Sequence, residues 1–443
     1  MSTLQTNRKI NLLQATAINM IDMVGIGPFV VMPLVVASFH NGLFIWAWVF
    51  GAITALVDGM VWSELGARYP LAGGTYNFHR IAYGEKGGKL MSFLYVWQTS
   101  IQAPLVVASA AIGFSQYLTY IVDLNFVQEK MISGGLVLFV LLLLYRKIET
   151  VGKISVVLGS IVLLTIGWII ISGLSHQQHS IPLMPSNGDS FFSFAFWAAV
   201  ANGSLKTVYS YLGYYNVCHL GGEIKRPEVN IPRSIFISIA GIAVLYLLMN
   251  ISVMSVIPWQ EAAKMDKYLV SGFMEKIYGH TAAVIVTVLI LCVAMSSLFA
   301  VVLGYSRVPY AAAVDGNFFK IFARTHPTQK FPHVSLLILC GMGFIFSLLF
   351  KLTDVITAIL AMRIIVQFMA QALGVVLLRR KNGKKELPFK MWLYPLPIIL
   401  SILIWAFLFY HTGKVALWGG LIALIGVIVF FVKDHFERKV SSI

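Results

Sequence analysis

Apolar residues fall in twelve long runs along this chain, and each run is long enough to form a helix through a lipid bilayer. Of the 443 residues, 58% are hydrophobic and only 12% are charged, whereas a soluble domain usually has about 25% charged residues. This composition excludes a disordered protein, a coiled coil and an ordinary soluble enzyme. We therefore predict an all-α integral membrane protein with twelve transmembrane helices, near residues 12–39, 43–67, 88–121, 130–146, 152–174, 192–220, 232–257, 281–305, 333–351, 354–378, 391–411 and 413–433.

Lysine and arginine are distributed unevenly among the connections between these helices. The chain has 33 Lys and Arg against 18 Asp and Glu, which gives a formal net charge of +15. If the loops alternate between two sides and the N-terminus is inside, 25 of the 33 basic residues lie on the inner side and 6 on the outer side. Because cytoplasmic loops collect Lys and Arg, we expect a multi-pass protein of the cytoplasmic membrane with both termini in the cytoplasm. The positive charge then reflects topology, and we expect no nucleic-acid partner.

Two of the predicted spans carry residues that interrupt a helix at mid-depth. The first contains Gly25-Ile26-Gly27-Pro28, and the sixth contains Tyr209-Ser210-Tyr211-Leu212-Gly213. Glycine in a membrane helix can simply allow close packing, but backbone groups released at mid-depth must be satisfied in a cavity. Interrupted helices in matching positions of two inverted repeats indicate a transporter binding site. We predict one transmembrane domain over 1–443, with repeats at about 12–174 and 192–378 and two extra helices at about 391–433.

Four segments match the motifs of a known family. They are Met23-Val24-Gly25-Ile26-Gly27-Pro28-Phe29; Glu64-Leu65-Gly66-Ala67-Arg68-Tyr69-Pro70 with Gly73-Gly74-Thr75-Tyr76 and Ala82-Tyr83-Gly84; Gly222-Glu223-Ile224-Lys225-Arg226-Pro227 with Asn230-Ile231-Pro232; and Ser306-Arg307, Tyr310-Ala311, Asp315-Gly316 and Pro332-His333. On these motifs the chain resembles the amino acid–polyamine–organocation (APC) superfamily, in a branch of amino-acid permeases similar to the L-type amino acid transporters. The resemblance implies a LeuT-type fold, with two inverted five-helix repeats plus two further helices, and transport by alternating access.

The resemblance assigns the substrate site to the two interrupted spans. Residues 25–27 match the turn that binds a substrate carboxylate, and free amides at the start of a half-helix suit an anion. Carbonyl groups near Met23, Tyr209 and Leu212 can receive an α-ammonium group. Tyr209 also matches an aromatic position that closes over the substrate.

Specificity for the substrate side chain is expected from facing helices. On the third helix, Gln98 and Gln102 are four residues apart and place polar groups on one face together with Thr99. The alternative is that these side chains form hydrogen bonds between helices. The candidate substrate-binding residues are Asp22, Met23, Gly25, Ile26, Gly27, Gln98, Thr99, Gln102, Tyr209, Ser210, Leu212 and Gly213.

Four charged residues lie well inside predicted spans, away from the span ends: Asp22, Asp58, Lys206 and Arg363. A charge at the helix centre costs about 2.5–3.5 kcal/mol, so each should face a cavity or a partner. We expect Asp22 and Lys206 to pair or to line the outer part of the site. Asp22 is then a substrate contact, a titrating coupling residue or half of a structural ion pair. We expect Asp58 and Arg363 to contact other helices, with a place near the membrane interface as the alternative for Arg363.

Charged residues near the ends of spans are candidates for an inner gate, the alternative being ordinary interfacial charge. One family position departs from the pattern, because Val314 stands where an arginine is common. No lysine lies near Gly159 in the fifth helix, so coupling of protons through a lysine there is not supported. The gate or coupling candidates are Asp22, Lys206, Tyr209, Glu64, Arg68, Glu223 and Arg307.

We predict a secondary active transporter that moves amino acids as a symporter or an exchanger, with the coupling ion, a proton or sodium, left open. The alternative is a transporter of polyamines or other organic cations, because aromatic faces stabilise cations and the sixth span is rich in tyrosine. The intact turn at residues 25–27 favours amino acids, since a polyamine has no carboxylate.

Other classes of protein are not supported by the sequence. The ten histidines are scattered, and no nucleophile and base are arranged for catalysis, so we do not expect an enzyme. Cys218, Cys292 and Cys340 all lie in apolar segments without metal-ligand spacing. We expect no cofactor or metal, a small-molecule substrate and the lipid bilayer as partners, and a monomer or homodimer.

Overall fold

The computed structural model describes residues 8–71, 73–145, 151–185, 190–265, 268–328, 331–382 and 387–441. Six basic residues of the loop count lie outside these ranges: Arg146, Lys147, Lys267, Lys330, Lys384 and Lys385. The described residues form helices joined by short connections and contain no β-strand. The α-helices are α1 (Leu12–Met23), α2 (Gly27–Val36), α3 (Ile45–Arg68), α4 (Thr75–Ala82), α5 (Gly84–Leu118), α6 (Phe126–Leu144), α7 (Val151–Ser175), α8 (Phe194–Tyr211), α9 (Asn216–His219), α10 (Pro227–Met254), α11 (Trp259–Ala262), α12 (Leu269–Tyr278), α13 (His280–Tyr305), α14 (Arg307–Val314), α15 (His333–Leu349), α16 (Leu352–Arg363), α17 (Ala370–Asn382), α18 (Leu396–His411) and α19 (Lys414–Ser441).

Two short 3₁₀-helices and one π-helix complete the regular structure of the described ranges. The 3₁₀-helices are Gly221–Glu223 and Lys320–Ala323, and the π-helix Ile364–Met369 joins α16 directly to α17. Every predicted apolar run contains helix, so the expectation of an all-α chain is confirmed.

Seven continuous helical segments of the described chain are long and apolar enough to cross a membrane. The pair α1 and α2 meets the same test as one span bent by 47°. Three shorter apolar helical segments span Gly159–Ser175, His333–Leu349 and Leu396–His411. The seven segments are Ile45–Arg68, Gly84–Leu118, Phe126–Leu144, Pro227–Met254, His280–Val314, Leu352–Lys381 and Lys414–Phe436.

The bend between α1 and α2 follows from local sequence. Asn11 caps α1, because its side chain accepts from the Gln14 amide while the Gln14 side chain accepts from the Asn11 amide. The helix ends at Met23, before the glycine-containing turn, and Pro28 opens α2. Proline is well tolerated in a first turn, where its missing N–H would have no helical acceptor.

The helices pack in two groups. In the first group, α3 packs on α8 and α10, and α10 packs on α1. In the second group, α5 packs on α6, α13 and α15, and α6 packs on α15. Small residues permit close approach in the first group: a Cβ atom at Gly59 of α3 would lie 2.7 Å from Cδ1 of Ile239 on α10.

The short helix α4 packs on α17 and reaches the π-helix that precedes α17. The Nε2 atom of His79 lies 2.8 Å from the carbonyl oxygen of Val366. The Tyr83 hydroxyl donates to the Ala370 carbonyl at 2.6 Å. Thr75 donates to the side-chain oxygen of Gln371 at 2.6 Å. A π-helix shifts the backbone hydrogen-bonding register and commonly occurs at functional sites. Here α4 and the adjacent Tyr83 supply side-chain partners to the π-helix and to the start of α17.

Candidate functional site

The breaks of the two interrupted spans contact each other. The helix α1 ends at Met23, and α8 ends at Tyr211, two residues before Gly213. Gly213 has φ +122°, and a Cβ atom there would lie 2.8 Å from the carbonyl carbon of Asp22 and from the amide nitrogen of Met23. Both the conformation and the close approach require glycine. The two non-helical turns are thus held backbone against backbone.

A buried tyrosine joins the same two helix ends. Tyr246 of α10 is fully buried, and its hydroxyl lies 2.9 Å from the carbonyl oxygen of Met23 and 3.2 Å from that of Ser210. Carbonyls at the last turn of a helix have no partner within the helix. One hydroxyl proton is therefore shared between the ends of both half-helices and fixes their separation.

The turn between α1 and α2 leaves backbone donors free. Phe29 and Val30 donate to the Ile26 carbonyl at 3.1 and 3.2 Å. Among the described residues, no acceptor is found for the amides of residues 25–27 and no donor for the carbonyl of Leu212. Amides at a helix N-terminus attract an anion, and a free carbonyl accepts from an ammonium group. The two turns together offer both functions.

A cavity of about 60 Å³ lies where the breaks meet. Nine of the twelve predicted substrate-binding residues line it, and all nine come from the two interrupted spans: Asp22, Met23, Gly25, Ile26, Gly27, Tyr209, Ser210, Leu212 and Gly213. The other lining residues are Val106, Ala110, Tyr215, Ser297, Val301, Tyr305, Ile359 and Arg363. The cavity is thus enclosed by α1, α2, α5, α8, α13 and α16, together with the non-helical residues at the two breaks.

Tyr209 covers one side of this cavity. Its hydroxyl lies 2.8 Å from Oγ of Ser109 on α5, so the ring bridges the two groups of helices. A Cβ atom at Gly27 would lie 3.1 Å from Cε1 of Tyr209, which places the ring directly over the turn. Ser109 was not among the predicted residues. Its hydroxyl also donates to the Val106 carbonyl of its own helix at 2.8 Å, the usual bond of a serine in an apolar helix.

Arg363 occupies another side of the cavity, at the last residue of α16. Its side chain is 4% exposed, and its two terminal nitrogens donate to the hydroxyls of Tyr215 and Tyr305. Asp22 lines the same cavity. Arg363 does contact other helices, as expected, but its position in the cavity was not foreseen. Its charge within an apolar run was the signal that marked it.

A smaller cavity of about 20 Å³ adjoins the first. Tyr215 and Tyr305 line both, while Tyr209 lines only the larger one. The smaller cavity continues to His219, in α9. The two tyrosines that hold Arg363 therefore form part of the wall between the two spaces.

The polar residues predicted on the third helix lie elsewhere. Gln98, Thr99 and Gln102 are buried in α5, but they are not among the residues that line the cavity. The face of α5 that reaches it carries Val106 and Ala110, one and two helical turns beyond Gln102. The role of the three polar residues in substrate binding stays a prediction.

Lys206 and Asp22 do not pair in the structure. The Lys206 ammonium group donates to Oγ of Ser38 at 2.9 Å and to the Asn202 carbonyl at 3.3 Å. Ser38 lies just past the far end of α2, whereas Asp22 lies in the last turn of α1, before the break. Because the two half-helices run to opposite sides of the break, the two charges are separated.

The candidate inner-gate residues do not form one cluster. Glu64 is 3% exposed and binds Arg379 at two points, 2.7 Å from Nε and 2.5 Å from Nη2. The carboxylate accepts a third hydrogen bond, at 3.0 Å, from the amide of Met391. Arg68 stacks 5.5 Å from the ring centre of Tyr69. Within the described ranges, the ion pair of Glu64 includes neither Arg307, which is exposed, nor Glu223, which is partly exposed.

Asp58 lies in a buried cage of neutral donors. Its Oδ2 accepts from the Tyr214 hydroxyl at 2.6 Å and from the Trp62 indole at 2.8 Å. Its Oδ1 accepts from the Trp405 indole at 3.2 Å and lies 3.4 Å from the Ser401 hydroxyl. These bonds connect α3 to the segment after α8 and to α18, as expected for a contact between helices.

Comparison with known proteins identifies a family for this arrangement. A family model described as amino acid permease matches residues 10–432. The serine/threonine exchanger SteT of Bacillus subtilis is 24% identical over 409 residues, which cover 89% of each chain. The Asc-type amino acid transporter 1 of Mus musculus is 26% identical over 98% of this chain and 82% of its own length. The cationic amino acid transporter 4 of Mus musculus is 25% identical over 80% of this chain and 57% of its own length.

Proposed function

This chain belongs to the amino acid permease family, and we propose that it is a secondary active transporter of amino acids in the cytoplasmic membrane. It is a multi-pass membrane protein and not an enzyme. The names of its relatives refer to serine and threonine, to Asc-type and to cationic amino acids, so membership of the family leaves the substrate open.

The charge balance of the cavity carries the proposal. The lining contains one acidic residue, Asp22, and one basic residue, Arg363, beside the free amides of residues 25–27. A zwitterion has an ammonium group that complements Asp22 and a carboxylate that complements the amides or the guanidinium. A polyamine has no group for the amides and is repelled by the guanidinium. The cavity therefore favours an amino acid over the alternative of an organic cation.

The packing of the helices supports alternating access through a LeuT-type fold with twelve spans. The group built on α3 and α10 contains the first interrupted span, and the group built on α5 and α13 faces it across the cavity. Tyr209 closes one side by its contact with Ser109, and the pair Tyr215 and Tyr305 closes another. Rocking of one group against the other would break these contacts in turn. The excess of basic residues in alternate loops supports cytoplasmic termini.

Uptake by the purified protein in proteoliposomes tests the proposal. Vesicles preloaded with a mixture of unlabelled amino acids should accumulate labelled amino acid, and other amino acids should compete while putrescine should not. Competition by putrescine alone would establish the alternative. Empty vesicles with an imposed proton or sodium gradient separate symport from exchange, since an exchanger needs an internal substrate.

A pair of glycine variants links the activity to this cavity. Gly27→Ala places a methyl group 3.1 Å from the Tyr209 ring in the binding turn, so uptake should fall. Gly420→Ala serves as the control, because a Cβ atom there meets nothing within 4 Å. Equal uptake by both variants would show that the binding site lies elsewhere.

A further inference from the structure

We propose that Arg363, with Tyr215 and Tyr305, binds the side-chain carboxylate of an acidic amino acid and so determines the specificity of the transporter. This inference rests on the proposed function. It concerns a part of the cavity that is distinct from the turn at residues 25–27. That turn would bind the α-carboxylate, which all amino acids share.

The guanidinium of Arg363 has hydrogen-bond partners but no counter-ion in contact. Both partners are neutral tyrosine hydroxyls. Among the described residues, no carboxylate oxygen lies within 4.0 Å of its nitrogens, and Asp22 is the only acidic residue that lines the cavity. A buried charge is stabilised by a paired and hydrogen-bonded partner of opposite sign. A substrate carboxylate would supply that partner.

Other groups in this cluster can still donate hydrogen bonds. The Nε atom of Arg363 is buried and has no hydrogen-bond partner. Tyr215 and Tyr305 accept from the guanidinium and also bond to each other, so one of the two hydroxyls still carries a proton to donate. The cluster is therefore made of donors, which match the acceptor-only chemistry of a carboxylate.

The cluster is fixed before the substrate arrives. Arg363 is the last residue of α16, and Tyr215 and Tyr305 come from the second break and from the end of α13. The guanidinium carbon lies 5.8 and 5.6 Å from the centres of the two rings. A preorganised site loses little conformational entropy on binding. The same fixed positive charge disfavours lysine, arginine and polyamines.

Competition for uptake into proteoliposomes tests the assignment, with glutamine and glutamate as a pair that differs by one charged group. In the unchanged protein, glutamate or aspartate should inhibit uptake at a concentration about tenfold below that of glutamine or asparagine. Arg363→Gln should weaken inhibition by glutamate and aspartate about tenfold or more. Inhibition by glutamine and asparagine should change less than about threefold. Arg363→Lys should lie between, since lysine keeps the charge without the forked geometry. Arg380→Gln, at an exposed position of α17, is the matched control.

Each other outcome has a definite meaning. Transport of neutral amino acids with no preference for acidic ones would overturn the subsite and leave the proposed function intact. An equal loss for all substrates in Arg363→Gln would make Arg363 a structural partner of the cavity. Absence of any amino acid transport by the unchanged protein would remove both proposals. If Arg363→Gln does not fold, two other measurements decide the question. One is the preference of the unchanged protein for acidic amino acids. The other is the effect of Tyr305→Phe, which should cause a partial loss of that preference.

Discussion

Gly213 lies against the peptide bond that joins Asp22 to Met23, so the second break is packed on the backbone of the first. The distance of 2.8 Å from a Cβ atom at residue 213 to two backbone atoms leaves no space for any other residue type. Asp22, Met23 and Gly213 all line the cavity. A change at this contact therefore alters the site through its backbone and not through a lost side chain.

Gly213→Ala should lower both stability and uptake. The added methyl group meets backbone atoms, which cannot rotate away, and φ +122° is unfavourable for alanine. Backbone strain of this kind costs about 1–3 kcal/mol. Gly413→Ala is the control, because Gly413 has φ +60° but nothing within 4 Å of its added Cβ. Thermal unfolding and initial uptake rates should distinguish the two, and similar behaviour of both variants would contradict the close contact.

The hydrogen bond between Tyr209 and Ser109 should contribute to closure over the substrate. Tyr209→Phe keeps the ring and removes the bond, and Ser109→Ala removes the same bond from the other side. A neutral hydrogen bond contributes about 1 kcal/mol, so each variant should raise the half-saturating substrate concentration about fivefold. The double variant should be no worse than either single one, because the two remove one shared interaction. Additive effects would show that the residues act separately.

Glu64 and Arg379 should stabilise the protein, whereas Arg307 should not. Removal of one partner from a buried ion pair costs about 3–5 kcal/mol. The Arg379 side chain is 15% exposed, so the lower end of that range is expected for Glu64→Gln. Thermal unfolding of the purified variant should show the loss. Arg307→Gln, at an exposed position, should unfold like the unchanged protein.

Arg379→Lys separates charge from geometry at this pair. Lysine retains the charge but loses the two-point contact and the stacking of the guanidinium at 3.8 Å from the Tyr394 ring centre. We expect a stability between those of the unchanged protein and Glu64→Gln. If Arg307→Gln proves as destabilising as Glu64→Gln, the gate predicted from sequence gains support.

His79 should make the protein sensitive to acid. Burial in α4 lowers the pKa of His79 to about 4 from its ordinary value of 6.5, and the hydrogen bond to Val366 only partly opposes this. The folded protein thus binds the proton less readily than the unfolded chain. The stability due to neutral His79 is complete above pH 6.5 and is lost as the pH falls from 6.5 towards 4.

A glutamine variant tests this pH dependence. The melting temperature of His79→Gln should decrease less between pH 7 and pH 4.5 than that of the unchanged protein. Glutamine can still donate to the Val366 carbonyl but does not titrate. His435→Gln, at an exposed position, is the control and should follow the unchanged protein. Parallel curves for all three proteins would exclude His79 as the acid-sensitive group.

Sequence was most informative where the chain itself carries the signal. Glycine and proline inside apolar runs located both breaks, because their effect on a helix is local. The contact of α5 with the cavity depends on how a long helix is placed against its neighbours, so Gln98 was as plausible from sequence as Val106. Glu64 and Arg379 are 315 residues apart, and no local pattern indicates which arginine a buried carboxylate meets.

The π-helix Ile364–Met369 separates two functions along one helical segment. Arg363 comes before the π-helix in the chain and lines the cavity, whereas Arg379 comes after it and binds Glu64. A π-turn contains one residue more than an α-turn, and one residue in an α-helix corresponds to about 100° of rotation. Deletion of a single residue here would rotate Arg363 by about 100° relative to Arg379, so that the two arginines could not both keep their present contacts. If Arg363 binds the substrate as proposed, the gain or loss of one codon at the π-helix would change substrate preference without any substitution in the residues that line the cavity.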